Sequence, residues 1–157
     1  MTRLVNSRAD GDHTSIMRGT PFGNPIALDR RCSECGATHR RADDDAVSAL
    51  LCYSALLIPR LTDDLVFRRQ VQALEGQTLA CVCPSYTRGV RAQGNHCHGD
   101  ILVAYIDGYS ERVAGLCDAR RPTAEQSAHG HESGMVALLG HVEWMRSLLP
   151  AQRAMFG

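Results

Sequence analysis

Seven cysteines and seven histidines in 157 residues are the side chains best suited to chemistry, and most of them gather in two short stretches. The first is Cys32-Ser33-Glu34-Cys35-Gly36-Ala37-Thr38-His39. A Cys-x-x-Cys turn closed by glycine is a common half-site for tetrahedral zinc, and His39 follows closely enough to supply a third ligand. A helical redox pair fits less well, because the flanks are polar and no strand feeds into the turn. Two surface thiols held together are an oxidation hazard unless a metal engages them.

The second stretch is Cys81-Val82-Cys83, followed after a loop by His96-Cys97-His98. Alternation along a strand turns Cys81 and Cys83 to one face. Cys97 and His98 stand at a helix start, where N–H groups lower a thiol's pKa and attract anions. Two readings remain open. In one, Cys81, Cys83 and Cys97 bind zinc with His96 or His98, alone or sharing an ion with Cys32 and Cys35. In the other, Cys97 is a nucleophilic thiolate, or His98 an acid–base with Asp100, facing a small anionic ligand. Cys52 and Cys117 sit in apolar helical surroundings and are read as core fillers. His129 and His131 could bind metal, but they fall in a Gly-, His- and Ser-rich segment better read as a solvated linker.

A third feature is Arg18-Gly19-Thr20-Pro21-Phe22-Gly23-Asn24-Pro25. Gly19 and Gly23 would let backbone N–H groups approach a ligand, and Arg18 could pair with a phosphate or carboxylate. The segment is neither a Walker loop nor the dinucleotide glycine fingerprint. A rigid structural turn explains it equally well.

Apolar periodicity supplies the scaffold. Arg3–Arg8 and His13–Met17 read as strands, and 29–42 as a polar loop. Asp43, Asp44 and Asp45 open a helix through Val47, Leu50, Leu51, Ser54 and Leu57 that ends at Pro59. Thr62 caps a second helix with Phe67, Val71 and Leu74 inward. Thr78–Cys83 reads as a buried strand and 84–96 as a loop. A third helix begins at Gly99-Asp100, with Ile101, Leu102, Tyr105 and Ile106 inward, and stops near Gly108. A weaker helix over 110–119, a linker over 120–133 and an amphipathic helix over about 134–149 complete the chain. That helix carries Met135, Leu138, Leu139, Val142 and Met145, with Trp144 in the core or against a partner. The order β-β-α-α-β-α predicts a small α/β domain over 1–108, with a cysteine-rich insertion at 29–42, and a helical extension over 109–157.

Composition bounds the function. Formal net charge is zero, which argues against a protein that coats DNA. Every basic residue is arginine, as a high-GC coding sequence of actinobacterial or phage origin would give. Arg3, Arg8, Arg18, Arg30, Arg31, Arg40 and Arg41 outnumber the acids of residues 1–41. No uncharged apolar run approaches the ~20 residues of a membrane span, and the N-terminus lacks a signal-peptide core. A cytoplasmic, soluble protein is expected.

Four segments in this order carry a resemblance: Val5-Asn6-Ser7-Arg8, Arg18 through Pro25, Leu74 through Cys83, and Cys97-His98-Gly99-Asp100-Ile101-Leu102. Across about residues 4–106 the chain resembles domain-of-unknown-function family 4326 of bacteria and their phages. Val82 stands where that family usually has Trp, and Gln77 where it has Lys. The loop before Cys97 is longer than usual, and Cys32–His39 is an insertion. The resemblance implies no reaction. It implies that Arg8, Arg18, Asn24, Cys81, Cys83, Cys97, His98 and Asp100 belong to a shared pattern.

If these residues converge, they form a polar pocket where open α/β folds bind ligands. The leading expectation is a zinc-stabilised accessory protein holding a nucleotide-like or other phosphorylated ligand. Arg8 and Arg18 would hold the anion, Asn24 would orient it, and His98, Asp100 and Cys97 would act in any nucleotide- or nucleoside-processing step of N-glycosidic or transferase type. The alternative is a non-enzymatic zinc module contacting nucleic acid or a host protein through Arg30, Arg31, Arg40 and Arg41. The last helix could also pair two copies of the chain.

Overall fold

The computed structural model describes residues 1–40, 46–83, 86–87, 90–91, 96–114 and 123–149. Three short strands, β1 (Arg3–Asn6), β2 (Thr14–Ser15) and β3 (Thr78–Cys81), form a parallel sheet in the order β1-β3-β2. Leu4 pairs with Leu79 and Asn6 with Cys81 on one side of β3, and Thr14 with Leu79 on the other. A central parallel strand is covered on both faces, and Leu79, Ala80 and Cys81 are all buried. The fold class is α/β, as expected. Inside the segment read as the 84–96 loop, β4 (Tyr86–Thr87) and β5 (Val90–Arg91) pair antiparallel.

Helix α1 spans Ala46–Asp63 and α2 spans Leu65–Gln72. Asp43, Asp44 and Asp45, read as the start of α1, lie outside the described residues. Pro59 does not end α1. It removes one N–H from the ladder, but Leu57 and Leu61, one turn apart on the same face, are both buried and carry the helix past it. The cap of α2 is therefore Asp64, whose carboxylate accepts from the Phe67 N–H at 2.9 Å. Thr62 instead lies within α1 and bonds the Ile58 carbonyl. Among the described residues α1 is the one helix with a length and mean hydropathy, 1.2, that would suit a membrane. Its Leu50, Tyr53, Leu57 and Leu61 are buried in the core.

Helix α3 runs His98–Ala114 without stopping at Gly108, and α4 runs Ala124–Ser147. The start of the predicted linker, and Cys117, lie outside the described residues. The rest of that linker is helix, opened by a Thr123–Gln126 capping box. Glycines of α3 and α4 line the contact between the two helices. A Cβ on Gly134 would sit 2.8 Å from the Tyr105 ring, and one on Gly108 would sit 2.6 Å from the Ala137 Cβ. Small residues at these points let α3 and α4 approach closely, and that packing outweighs the poor helix propensity of glycine. His131 is drawn in with them, its Nδ1 2.9 Å from the Tyr105 hydroxyl. Leu138, Val142 and Met145 are buried as predicted, whereas Leu139 and Trp144 are about half exposed.

Candidate metal centres and binding cleft

The first cysteine cluster is built on a hairpin knuckle. Arg31 and Thr38 form an isolated antiparallel bridge. Within it, the Cys32 N–H donates to the Ala37 carbonyl at 2.7 Å and the Gly36 N–H to the Cys32 carbonyl at 3.0 Å. Gly36 has φ +72°, the left-handed conformation that closes such a turn without a Cβ penalty. The Glu34 N–H points at the Cys32 sulfur, 3.4 Å away. Nε2 of buried His39 lies 3.4 Å from the sulfurs of both Cys35 and Cys52.

Cys52 packs against the core, as expected, but does more than fill it. It projects from α1 into the knuckle, and the ligand atoms of Cys32, Cys35, His39 and Cys52 all lie within 4.8 Å of one another. The signal in the sequence was the missing fourth donor after Cys-x-x-Cys-x-x-x-His. Burial pushes the Cys32 thiol up, but the Cys35 and Glu34 backbone N–H groups and its side-chain partners bring it down to about 7. Burial and its bonds to Cys35 and Cys32 push Cys52 up to about 12.

The second cluster joins the end of β3 to the start of α3. Cys81 and Cys83 sulfurs are 3.5 Å apart, and His98 Nδ1 lies 3.8 Å from Cys81 and 3.7 Å from Cys97. His98 Nε2 is 2.7 Å from the Ile16 carbonyl. That acceptor fixes the proton on Nε2 and leaves the Nδ1 lone pair facing the sulfurs, the arrangement of a histidine metal ligand with its outer partner. The Tyr53 ring meets His98 edge-on at 5.4 Å. Gly99 follows because a Cβ there would lie 2.6 Å from Leu4 and 2.8 Å from Ile16. All four ligand atoms again lie within 4.8 Å of one another.

Electrostatics make the same case. Hydrogen bonds from Cys83 and Cys97 hold the Cys81 thiol well below its ordinary range, and hydrogen bonds to Cys81 and Cys83, with burial, drive the Cys97 thiol upward. Burial opposes charge on His98, but hydrogen bonds to the Cys81 and Cys83 sulfurs raise its pKa to about 9, so a metal binding at Nδ1 would displace a proton there. Three crowded thiols cannot all ionise without a cation between them. A tetrahedral zinc with bonds of ~2.3 Å to sulfur has ligand–ligand edges of ~3.8 Å, close to the separations in both clusters. The donors present therefore fit a divalent metal at each site.

Beside the second cluster lies a cleft of about 500 Å³. Met17 and Arg18 enter it from beyond β2, Cys81, Val82 and Cys83 from the end of β3, and His96, Cys97 and His98 from the start of α3. Ile26, Leu28, Ala46, Ala49 and Leu50 form an apolar wall that the sequence reading did not single out. Asn24 completes the lining. The Arg18 loop supports itself: Nε donates to the Asn24 carbonyl and Nη2 to the Ile26 carbonyl, both at 3.3 Å, and Asn24 Oδ1 accepts from the Ile26 N–H. Gly19 has φ +95°, and a Cβ on Gly23 would lie 2.4 Å from the Met17 carbonyl.

Arg18, Asn24, Cys97 and His98 are therefore brought together. Arg8 is exposed beyond β1 and does not line the cleft. Asp100 accepts the Cys97 N–H at 3.0 Å, capping α3 rather than entering the cleft. His96 does enter it, and its ring packs against Trp144 of α4 at 5.6 Å.

Fold and site together define a small α/β protein with two clusters of three cysteines and one histidine, one of them facing a cleft. The chain belongs to the family described as Domain of unknown function (DUF4326), whose model matches residues 3–108. Both clusters and the whole cleft lining fall inside that span, and α4 lies beyond it. No curated protein and no solved structure matches the chain.

Proposed function

We propose that the protein holds a zinc ion in each cluster and binds a small phosphorylated, nucleotide-like ligand in the cleft. One observation carries the reading: the cleft sits at the carboxyl ends of β2 and β3 and at the N-terminal end of α3. In open α/β sheets that is where ligands bind, and a helix start favours an anion. The apolar wall suits a flat base, while Arg18 offers a cation at the rim. Zinc would supply a rigid cross-link between β3 and α3. Through the His98–Ile16 bond it would also hold the strand that leads into Arg18.

The roles of His98 and Asp100 follow from their bonds. Both His98 nitrogens are engaged and Asp100 caps α3, so binding accounts for them better than acid–base catalysis. The arginine loop is the weaker surface for nucleic acid. Arg30, Arg31 and Arg40 are exposed, but Asp29 and Glu34 share the loop with them.

Elemental analysis should find two zinc ions per chain. Calorimetric titration with nucleoside monophosphates and ribose 5-phosphate should show binding by the native protein, retained by Arg18→Lys and lost by Arg18→Ala with the circular dichroism unchanged. Equal binding by Arg18→Ala would refute the cleft assignment.

A further inference from the structure

Arg18 is the one arginine among the described residues that line the cleft, so the phosphate end of a ligand belongs there. The other polar side chains of the lining are largely spent. Asn24 Oδ1 and two Arg18 nitrogens hold their own loop, and both His98 nitrogens are engaged. His96 differs from them. It lines the cleft half-buried, and neither ring nitrogen has a hydrogen-bond partner among the described residues. We infer that His96 reads the edge of a nucleobase in the cleft and that Trp144 of α4 holds it in position. The inference rests on the cleft reading proposed above.

Size and chemistry point the same way. A cleft of about 500 Å³ suits a small organic ligand and exceeds what a phosphate alone would fill. Ile26, Leu28, Ala49 and Leu50 offer apolar surface to the face of a flat ring. The edge of that ring carries donors and acceptors, and burying them without partners is costly. A neutral imidazole supplies one donor and one acceptor, which matches the mixed edge of a base. No carboxylate or hydroxyl side chain lines the cleft among the described residues, so His96 is its uncommitted side-chain acceptor.

Position is the remaining requirement. His96 precedes α3 outside any regular element, and a side chain without hydrogen bonds of its own turns freely unless something packs on it. The Trp144 ring meets His96 edge-on, with centroids 5.6 Å apart and planes at 67°. Trp144 is itself packed against His141 at 5.2 Å. Since α4 lies beyond the family-matched residues 3–108, the extension would tune a site that the family span builds.

The test titrates the full chain calorimetrically with adenosine, guanosine, cytidine and uridine monophosphates and with ribose 5-phosphate. The native protein should bind its best nucleotide about tenfold more tightly than ribose 5-phosphate. His96→Ala should remove that margin and leave ribose 5-phosphate binding unchanged, which also shows that the fold survives. Trp144→Ala should remove part of the margin and Trp144→Phe should keep it, whereas Arg18→Ala should abolish binding of both ligands. Because Trp144 is the only tryptophan, its emission should change with nucleotide and not with ribose 5-phosphate. No margin in the native protein, a margin that persists in His96→Ala, or an equal loss of both ligands in that variant overturns the role of His96 and leaves the cleft reading standing. A margin untouched by Trp144→Ala overturns the part given to Trp144. Native protein that binds neither ligand overturns the cleft reading itself.

Discussion

The two clusters use the same donors and teach different lessons. Cys32, Cys35, His39 and Cys52 tie a surface hairpin to the side of α1, and their burial is uneven, with Cys35 exposed and Cys52 intermediate. Cys81, Cys83, Cys97 and His98 join the central strand to a core helix, and three of the four are buried. The first is a clip on a loop. The second is part of the core and of the cleft wall. Identical ligand chemistry thus has consequences set by what each ligand's element supports.

The sharpest way to break this contrast is to remove one histidine or one cysteine. His98→Ala leaves three thiols beneath the sheet and cuts the bond to Ile16. Metal binding and folding should fail together, at a cost of several kcal/mol, seen as lost zinc and a collapsed near-ultraviolet signal. Cys52→Ala should release one of two ions and leave a folded protein. It should lose about 2–4 kcal/mol, comparable with opening a cross-linked loop, as measured by chemical denaturation. If both variants lose the same number of ions and the same stability, the distinction between clip and core fails.

Gly134→Ala tests a part of the molecule outside both clusters. Overpacking against Tyr105 should cost about 1–3 kcal/mol, with zinc content unchanged. Any zinc loss would mean that α4 supports the second centre more directly than its contacts indicate.

Acid should separate α4 from the clusters more finely. Burial and the nearby Arg68 lower the His131 pKa, so the folded state binds this proton less readily than the unfolded chain. The resulting stability is present above about pH 6.5, the unfolded value, and is lost as pH falls through the lowered folded value. His131→Gln should flatten that part of the stability profile, read as the difference from the native protein at each pH. The smallest effect is expected at the exposed Glu143–Arg146 pair, where Glu143→Ala should change stability by less than about 1 kcal/mol.

The sequence made the helix faces readable. Phe67, Val71 and Leu74, and then Ile101, Leu102, Tyr105 and Ile106, were marked by spacing alone and are all buried. It misled where a local rule met a longer-range one. Pro59 should stop a helix, yet Leu61 has a place in the core. The run through Gly130 looks like a linker, yet it is helix, and Gly134 just beyond it lets α4 pack against Tyr105. Cys-x-x-Cys-x-x-x-His announced three donors because they are close along the chain. Cys52 lies thirteen positions beyond His39 on another element, so no local pattern could enlist it.

By itself, then, the sequence determined the alternation of strands and helices, the family, and the two half-sites whose ligands are neighbours in the chain. These depend on spacing, and spacing is local. Tertiary structure alone decided that there are two complete clusters rather than one shared site. It also decided that His98 faces the sulfurs with Nδ1, and that Arg18 shares a cleft with Cys83 while Arg8 stays outside. Each of those outcomes depends on β3 threading between β1 and β2 and on α1 crossing beside both clusters, contacts between residues far apart in the chain.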